Sequence, residues 1–160
     1  MSMTWSEQLW KLKDKTKGMT GVRGFFDEYR YLSNFQSSEV ILDGIAYPTV
    51  ENAYQAAKTL DIEERKSFVL FTPVEAKKAG MKVKLREDWE QVKLLVMEDL
   101  IRQKFSKDTL KDKLLSTGSE YLEETNWWQD TYWGVCDGIG RNALGKILMK
   151  VRDSVKCLKS

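Results

Sequence analysis

Trp5, Leu9 and Leu12 recur on one helical face, which predicts a helix over about residues 3–16, closed by Gly18 and Gly21. Val22-Arg23-Gly24-Phe25-Phe26 then fits a short strand. Val40–Leu42 and Ile45–Tyr47 flank Asp43-Gly44, a dipeptide that suits a two-residue hairpin turn. Pro48-Thr49 opens a helix that the pattern carries through about Leu60. Helical patterns follow at about 63–70, 73–80, 87–104 and 107–116, the long one with Trp89, Val92, Leu95, Val96 and Leu100 as its apolar face. Thr117-Gly118 breaks the pattern. Glu124 to Arg141, rich in Trp, Gly, Asp and Asn, reads as an ordered loop, and Asn142 to about Val155 as a last amphipathic helix. These elements add up to a mainly α chain with a small β element (α+β), in one domain with no repeat and no linker.

Composition narrows the picture. At 160 residues, 42% hydrophobic and 31% charged, the chain is an ordinary globular one. No apolar run approaches the ~20 residues that span a bilayer. The charged N-terminus lacks the apolar core of a signal peptide, so a cytoplasmic protein without a membrane partner is expected. A net charge of +2 gives no footprint for bulk nucleic acid, yet leaves room for one nucleotide. Two cysteines, Cys136 and Cys157, are too few for a disulfide framework or a zinc cluster. There is no histidine at all. That removes Ser-His-Asp and Cys-His machinery and most zinc hydrolase sites. Catalysis would have to rest on Asp, Glu, Lys, Tyr or Cys.

Four segments could carry chemistry. In Pro48 to Lys58, Thr49 suits an N-cap, Glu51 falls in the first turn, and Glu51, Gln55 and Lys58 share one face. That face reads either as a polar ligand site or as the solvated side of a capped helix. Tyr31-Leu32-Ser33-Asn34-Phe35 reads either as a sugar- or base-holding loop or as a turn between core aromatics. In Arg86-Glu87-Asp88-Trp89, Asp88 could cap the helix, and Trp89 is a core anchor or a stacking platform. Tyr132 to Gly145 is glycine-rich and enters a helix near Asn142, whose N–H groups suit an anion, though it lacks the P-loop Gly-Lys-Ser/Thr. Cys136 has no histidine to activate it and reads as a structural thiol.

Taken together and in order, these segments resemble the NADAR (YbiA-like) family, roughly from Phe25 to Val155. The resemblance is carried by Leu32-Ser33-Asn34-Phe35, Tyr47 to Lys58, Ala76-Lys77 with Gly80, Arg86 to Trp89, Val96-Met97 and Lys104-Phe105. It continues through Leu115 to Gly118, Trp133-Gly134 and Gly140 to Met149. It implies a single-domain YbiA-like helical fold at 21–160, with the helix of residues 1–20 outside the match. It also implies hydrolysis of an N-glycosidic bond to ribose with no metal and no cofactor. One branch of the family cleaves phosphoribosylamino-pyrimidine intermediates of riboflavin biosynthesis. Another removes ADP-ribose from guanine in nucleic acid, opposing DarT-type toxins.

By motif, Glu51 matches the family's glutamate, Trp89 its first tryptophan and Trp133 its second. Some members carry an acid two positions after that second tryptophan. Here the position is Val135 and the nearest carboxylate is Asp137. The expected site is therefore Glu51 and Asp137 as catalytic groups. Asn34, Phe35, Gln55, Lys58, Arg86, Trp89, Trp133, Gly134 and Asn142 would hold a phosphoribosyl or ADP-ribosyl substrate, including ADP-ribosylated DNA. The alternative, prompted by Val135, is a module that binds ADP-ribose or a nucleotide without cleaving it.

Overall fold

Capping chemistry and local apolar pattern account for most helices of the computed structural model, which describes residues 1–158. These residues fall into two units: one continuous from Tyr31 to Leu114, the other joining Met1–Arg30 to the chain from Leu115 onward.

In the continuous unit, β2 (Val40–Leu42) and β3 (Ile45–Tyr47) form an antiparallel hairpin with Val40 opposite Tyr47. Its turn residues Asp43 and Gly44 have φ of 47° and 81°, the left-handed pair that a type I′ turn requires. Helix α2 (Val50–Ala56) starts at Thr49, whose Oγ1 accepts from Asn52 N. All seven residues of α2 are buried, so its polar face is enclosed rather than solvated. The helix also stops at Ala56, short of Leu60. Thr59 Oγ1 takes Asp61 N, and Asp61 caps the next helix, α3 (Ile62–Ser67). The remaining helices are α4 (Pro73–Gly80), with a Thr72–Glu75 capping box, α5 (Trp89–Lys104) and α6 (Asp108–Ser116). Helix α2 packs against α4, α5 and the hairpin.

Helix α5 turns a face inward that differs from the sequence expectation. Trp89, Met97, Leu100, Ile101 and Lys104 are buried. Leu95 is 69% exposed, because the buried stripe follows Met97 and Leu100–Ile101 instead.

In the other unit, α1 (Trp5–Thr16) begins with a Thr4–Glu7 capping box and buries Leu12. Trp5 meets Phe26 and Trp127 edge-on at 5.7 and 5.4 Å. The strand expected over Val22–Phe26 is only β1 (Val22–Arg23), paired in parallel with β4 (Leu122–Glu123). A 3-10 helix over Asp27–Leu32 follows β1. The expected loop over 124–141 contains β5 (Thr125–Asn126) and β6 (Val135–Cys136), also parallel. Helix α7 (Ala143–Leu158) packs on β4. The fold is thus mainly helical with small β pairs, an α+β architecture.

Candidate functional site

The buried α2 brings an acid and two amides together. Glu51 is 7% exposed and Gln55 is 5% exposed. Gln55 Nε2 donates to Glu51 Oε1 at 2.8 Å, a bond that favours the ionised carboxylate. Glu51 N donates to Asn34 O at 3.1 Å, which ties the Ser33–Phe35 loop to the first turn of α2. Asn34 is 7% exposed and its Nδ2 reaches Met97 Sδ at 3.5 Å. Its Oδ1, like Gln55 Oε1, is buried with no hydrogen-bond partner among the described residues. A buried acceptor without a donor is a costly arrangement. Phe35 N donates to Ser33 Oγ at 3.2 Å, which closes the loop locally.

Lys58 stands one turn beyond Gln55, with its Nζ 5.6 Å from the centre of the Tyr54 ring. Burial pushes its ammonium below the ordinary 10.5, while Glu51 draws it up and Lys77 pushes it down again. Three charged groups thus feel one another at the buried end of α2. Trp89 is buried and tilts against Tyr54, with centroids 5.2 Å apart at 52°. That contact gives Trp89 an anchoring part in the core.

Asp88 occupies the N-cap position of α5 but makes no side-chain cap bond. Its carboxylate instead receives Arg86 Nε at 2.6 Å and Nη2 at 2.9 Å. This corrects the expected cap: a bidentate guanidinium partner outcompetes a lone backbone N–H. Arg86 Nη1 points at Ala57 O, 3.5 Å away, and Arg86 N donates to Lys58 O. Its charge is therefore balanced by Asp88.

Trp133, Gly134, Asp137 and Asn142 lie in the other unit. The backbone N–H groups of Tyr132 and Trp133 are held by Asp130 Oδ1 at 3.1 and 2.9 Å, and Tyr132 meets Trp133 edge-on at 4.9 Å. A Cβ at Gly134 would overlap Glu124 O, so this glycine serves close strand approach. Asn142 is 2% exposed. Its side chain donates to Leu122 O and Tyr121 Oη and accepts from Glu124 N. It therefore anchors the loop ahead of α7. The start of α7 is likewise closed to an anion at two positions, since Ala143 N and Leu144 N donate to Tyr132 O and Trp133 O.

Asp137 and Gly138 have φ of 50° and 78°, and Cys136 and Ile139 exchange backbone hydrogen bonds around them. This is a second Asp-Gly hairpin turn, the counterpart of Asp43-Gly44. The Asp137 carboxylate is exposed and takes Lys15 Nζ at 2.8 Å, which lowers its proton affinity. The geometry gives Asp137 the part of a turn residue. The dipeptide itself was the signal for it.

Several contributors lie outside the expected set. Lys104, fully buried, donates to Ser33 O at 2.8 Å and so supports the Asn34 loop. Its place in register with Met97, Leu100 and Ile101 marks it in the sequence as an inward lysine. Met97, Tyr54 and Gly80 complete the surroundings. Among the described residues, no His, Cys, Asp or Glu cluster could hold a metal ion, and no helix is long and apolar enough to cross a membrane.

The NADAR domain pattern matches residues 21–156. The chain is 36% identical over 135 residues to N-glycosidase YbiA of Escherichia coli, covering 81% of this chain and 83% of that one. It is 34% identical over 140 residues to an N-glycosidase of Nostoc punctiforme, covering 82% and 89%. It is also 32% identical over 140 residues to a riboflavin biosynthesis protein of Vibrio vulnificus, covering 81% of this chain but only 36% of that longer one. The solved structure of E. coli YbiA superposes with a TM-score of 0.77 at 33% identity, over 88% of each chain.

Proposed function

The chain belongs to the NADAR domain family, and on that premise we propose that it is an N-glycosidase that hydrolyses the C1′–N bond of a ribosyl substrate in the cytoplasm, with Glu51 as the working carboxylate. The observation that carries this reading is the buried Glu51, held by Gln55 and tied through its backbone N–H to Asn34, whose side-chain Oδ1 has no donor among the described residues. A carboxylate in that setting suits positive charge on a ribose ring, and Asn34 Oδ1 suits a sugar hydroxyl. Lys58, with Lys77 behind it, adds positive charge for a phosphate.

In this mechanism the C1′–N bond breaks with its electron pair leaving on nitrogen. The ribose carries the resulting oxocarbenium charge, which the Glu51 carboxylate stabilises. Glu51 then takes a proton from water as the water oxygen bonds to C1′, and the proton passes to the leaving amine. With no histidine in the chain, one carboxylate in both roles is the economical solution. A phosphoribosylamino-pyrimidine is the favoured substrate. The names of the relatives, N-glycosidase and riboflavin biosynthesis protein, and the lysines beside Glu51 support it.

The test offers the purified chain the phosphoribosylamino-pyrimidine and ADP-ribosylated guanine DNA side by side. Release of ribose 5-phosphate identifies the first substrate, and release of ADP-ribose alone identifies the second. Tight ADP-ribose binding with no release from either would instead establish a binding module. Glu51→Gln keeps the shape and removes the charge, so turnover should fall at least about a thousandfold without a drop in Tm. Near-parental turnover by Glu51→Gln would rule out this role for the carboxylate.

A further inference from the structure

Gly80 ends α4 and is buried against α2. A Cβ built on it would lie 3.1 Å from Gln55 Cβ, 2.7 Å from Gln55 Cδ and closer still to Gln55 Oε1. Its φ lies outside the left-handed region, so its backbone does not demand glycine. What demands glycine is the Gln55 amide, which occupies the place a Cβ would take. With the amide in that place, Nε2 points at Glu51 Oε1 and Oε1 faces the glycine without a donor. The reverse orientation would set an amide oxygen against the carboxylate.

We propose that Gly80 is a positioning residue for Glu51, acting through Gln55. The missing side chain leaves the one space in which the amide can hold the carboxylate ionised and aimed. The proposal rests on Glu51 being the working carboxylate. Charged groups near it include Lys58, which attracts it, and Lys77 of α4, which acts on Lys58. Tyr54 and Met97 supply the other neighbours from α2 and α5, through Lys58 and Asn34. None of these groups changes in the test.

The atoms a Gly80 methyl would overlap outright, Gln55 Oε1 and Cδ, are the far end of a flexible side chain, and Gln55 Cβ at 3.1 Å need give only a few tenths of an ångström. Gly80→Ala should therefore fold, with the better helix former in α4, and push the amide off Glu51. The measurement is a carbon-13 NMR titration of the Glu51 carboxyl, assigned by its disappearance in Glu51→Gln. Gly80→Ala should move that titration up by about one pH unit, as should Gln55→Ala, since each removes a hydrogen bond to the charged form. The double variant Gln55→Ala/Gly80→Ala should match Gln55→Ala alone. An unshifted titration in Gly80→Ala overturns the proposal, and so does a shift that adds fully to that of Gln55→Ala. If Gly80→Ala fails to fold but the double variant folds, the clash lies at the amide and the proposal stands; if both fail, it falls. Turnover of Glu51→Gln is read separately, so a wrong assignment of the carboxylate is told apart from a wrong role for the glycine.

Discussion

Burial holds the Lys58 ammonium below its ordinary 10.5, with the attraction of Glu51 only partly offsetting it. The unfolded chain keeps the ordinary value, so between the folded and unfolded values it binds more protons than the folded chain. Stability then rises with pH across that window, and below it the charged lysine counts against folding. Lys58→Met should raise Tm at pH 7 and remove part of the alkaline rise toward 10.5, both read from thermal melts against pH. The same variant should weaken binding of a phosphorylated substrate, which separates the use of this lysine from its stability. Asn52 behaves in the opposite way. It is fully buried, its Nδ2 donates to Phe68 O and Phe71 O, and its Oδ1 accepts from Thr49 Oγ1. Asn52→Leu would strand both carbonyls and the hydroxyl, for a loss of about 3 kcal/mol in urea unfolding.

The two Asp-Gly turns share one geometry and differ in how the sequence presents them. Asp43-Gly44 sits between two apolar triplets, and the hairpin is legible at once. Asp137-Gly138 is hidden in a polar, tryptophan-rich stretch, and only a family resemblance gave its aspartate another part. Neither Gly44 nor Gly138 has an atom within 4 Å of the place a methyl would take, so alanine there meets only the backbone penalty. Each substitution should lose about 1 kcal/mol or slightly more. Asp137→Asn keeps a favourable turn residue and should keep turnover, while a hundredfold loss would restore Asp137 as a second acid. The helices were legible to within a few residues because capping and apolar periodicity are local. The α2 cap at Thr49 and the shared face of Glu51 and Gln55 followed from spacing; their hydrogen bond did not. Of the two-residue strands only β1 was marked, by the apolar run from Val22; β4, β5 and β6 were not, since parallel partners such as Val22 and Leu122 carry no local signal. The enclosure of α2 and the exposure of Leu95 also depend on partners distant in sequence.

At the scale of the chain, the family match begins at residue 21, yet the helix before it packs into its unit through one face. Leu12 is buried, Trp5 packs on Phe26 and Trp127, and Lys13 pairs with Asp27. Removing residues 1–20 would uncover Phe26 and Trp127 and should destabilise the unit by about 3 kcal/mol or more, measured by chemical unfolding against the full chain.

The pairing of β1 with β4 also sets an order of events during synthesis. Val22 N needs Tyr121 O, and Gly24 N needs Glu123 O. A growing chain exposes residues 1–30 early but holds their strand partner back until roughly a hundred more residues have emerged. The stretch from Tyr31 to Leu114 faces no such delay for its hairpin and for the packing of α2 on α4 and α5, which lie within one continuous segment. In pulse-labelled hydrogen exchange during refolding, the amides of α2 should be protected first. Those of Val22 and Gly24 should follow, making the first strand of the sequence among the last to find its place.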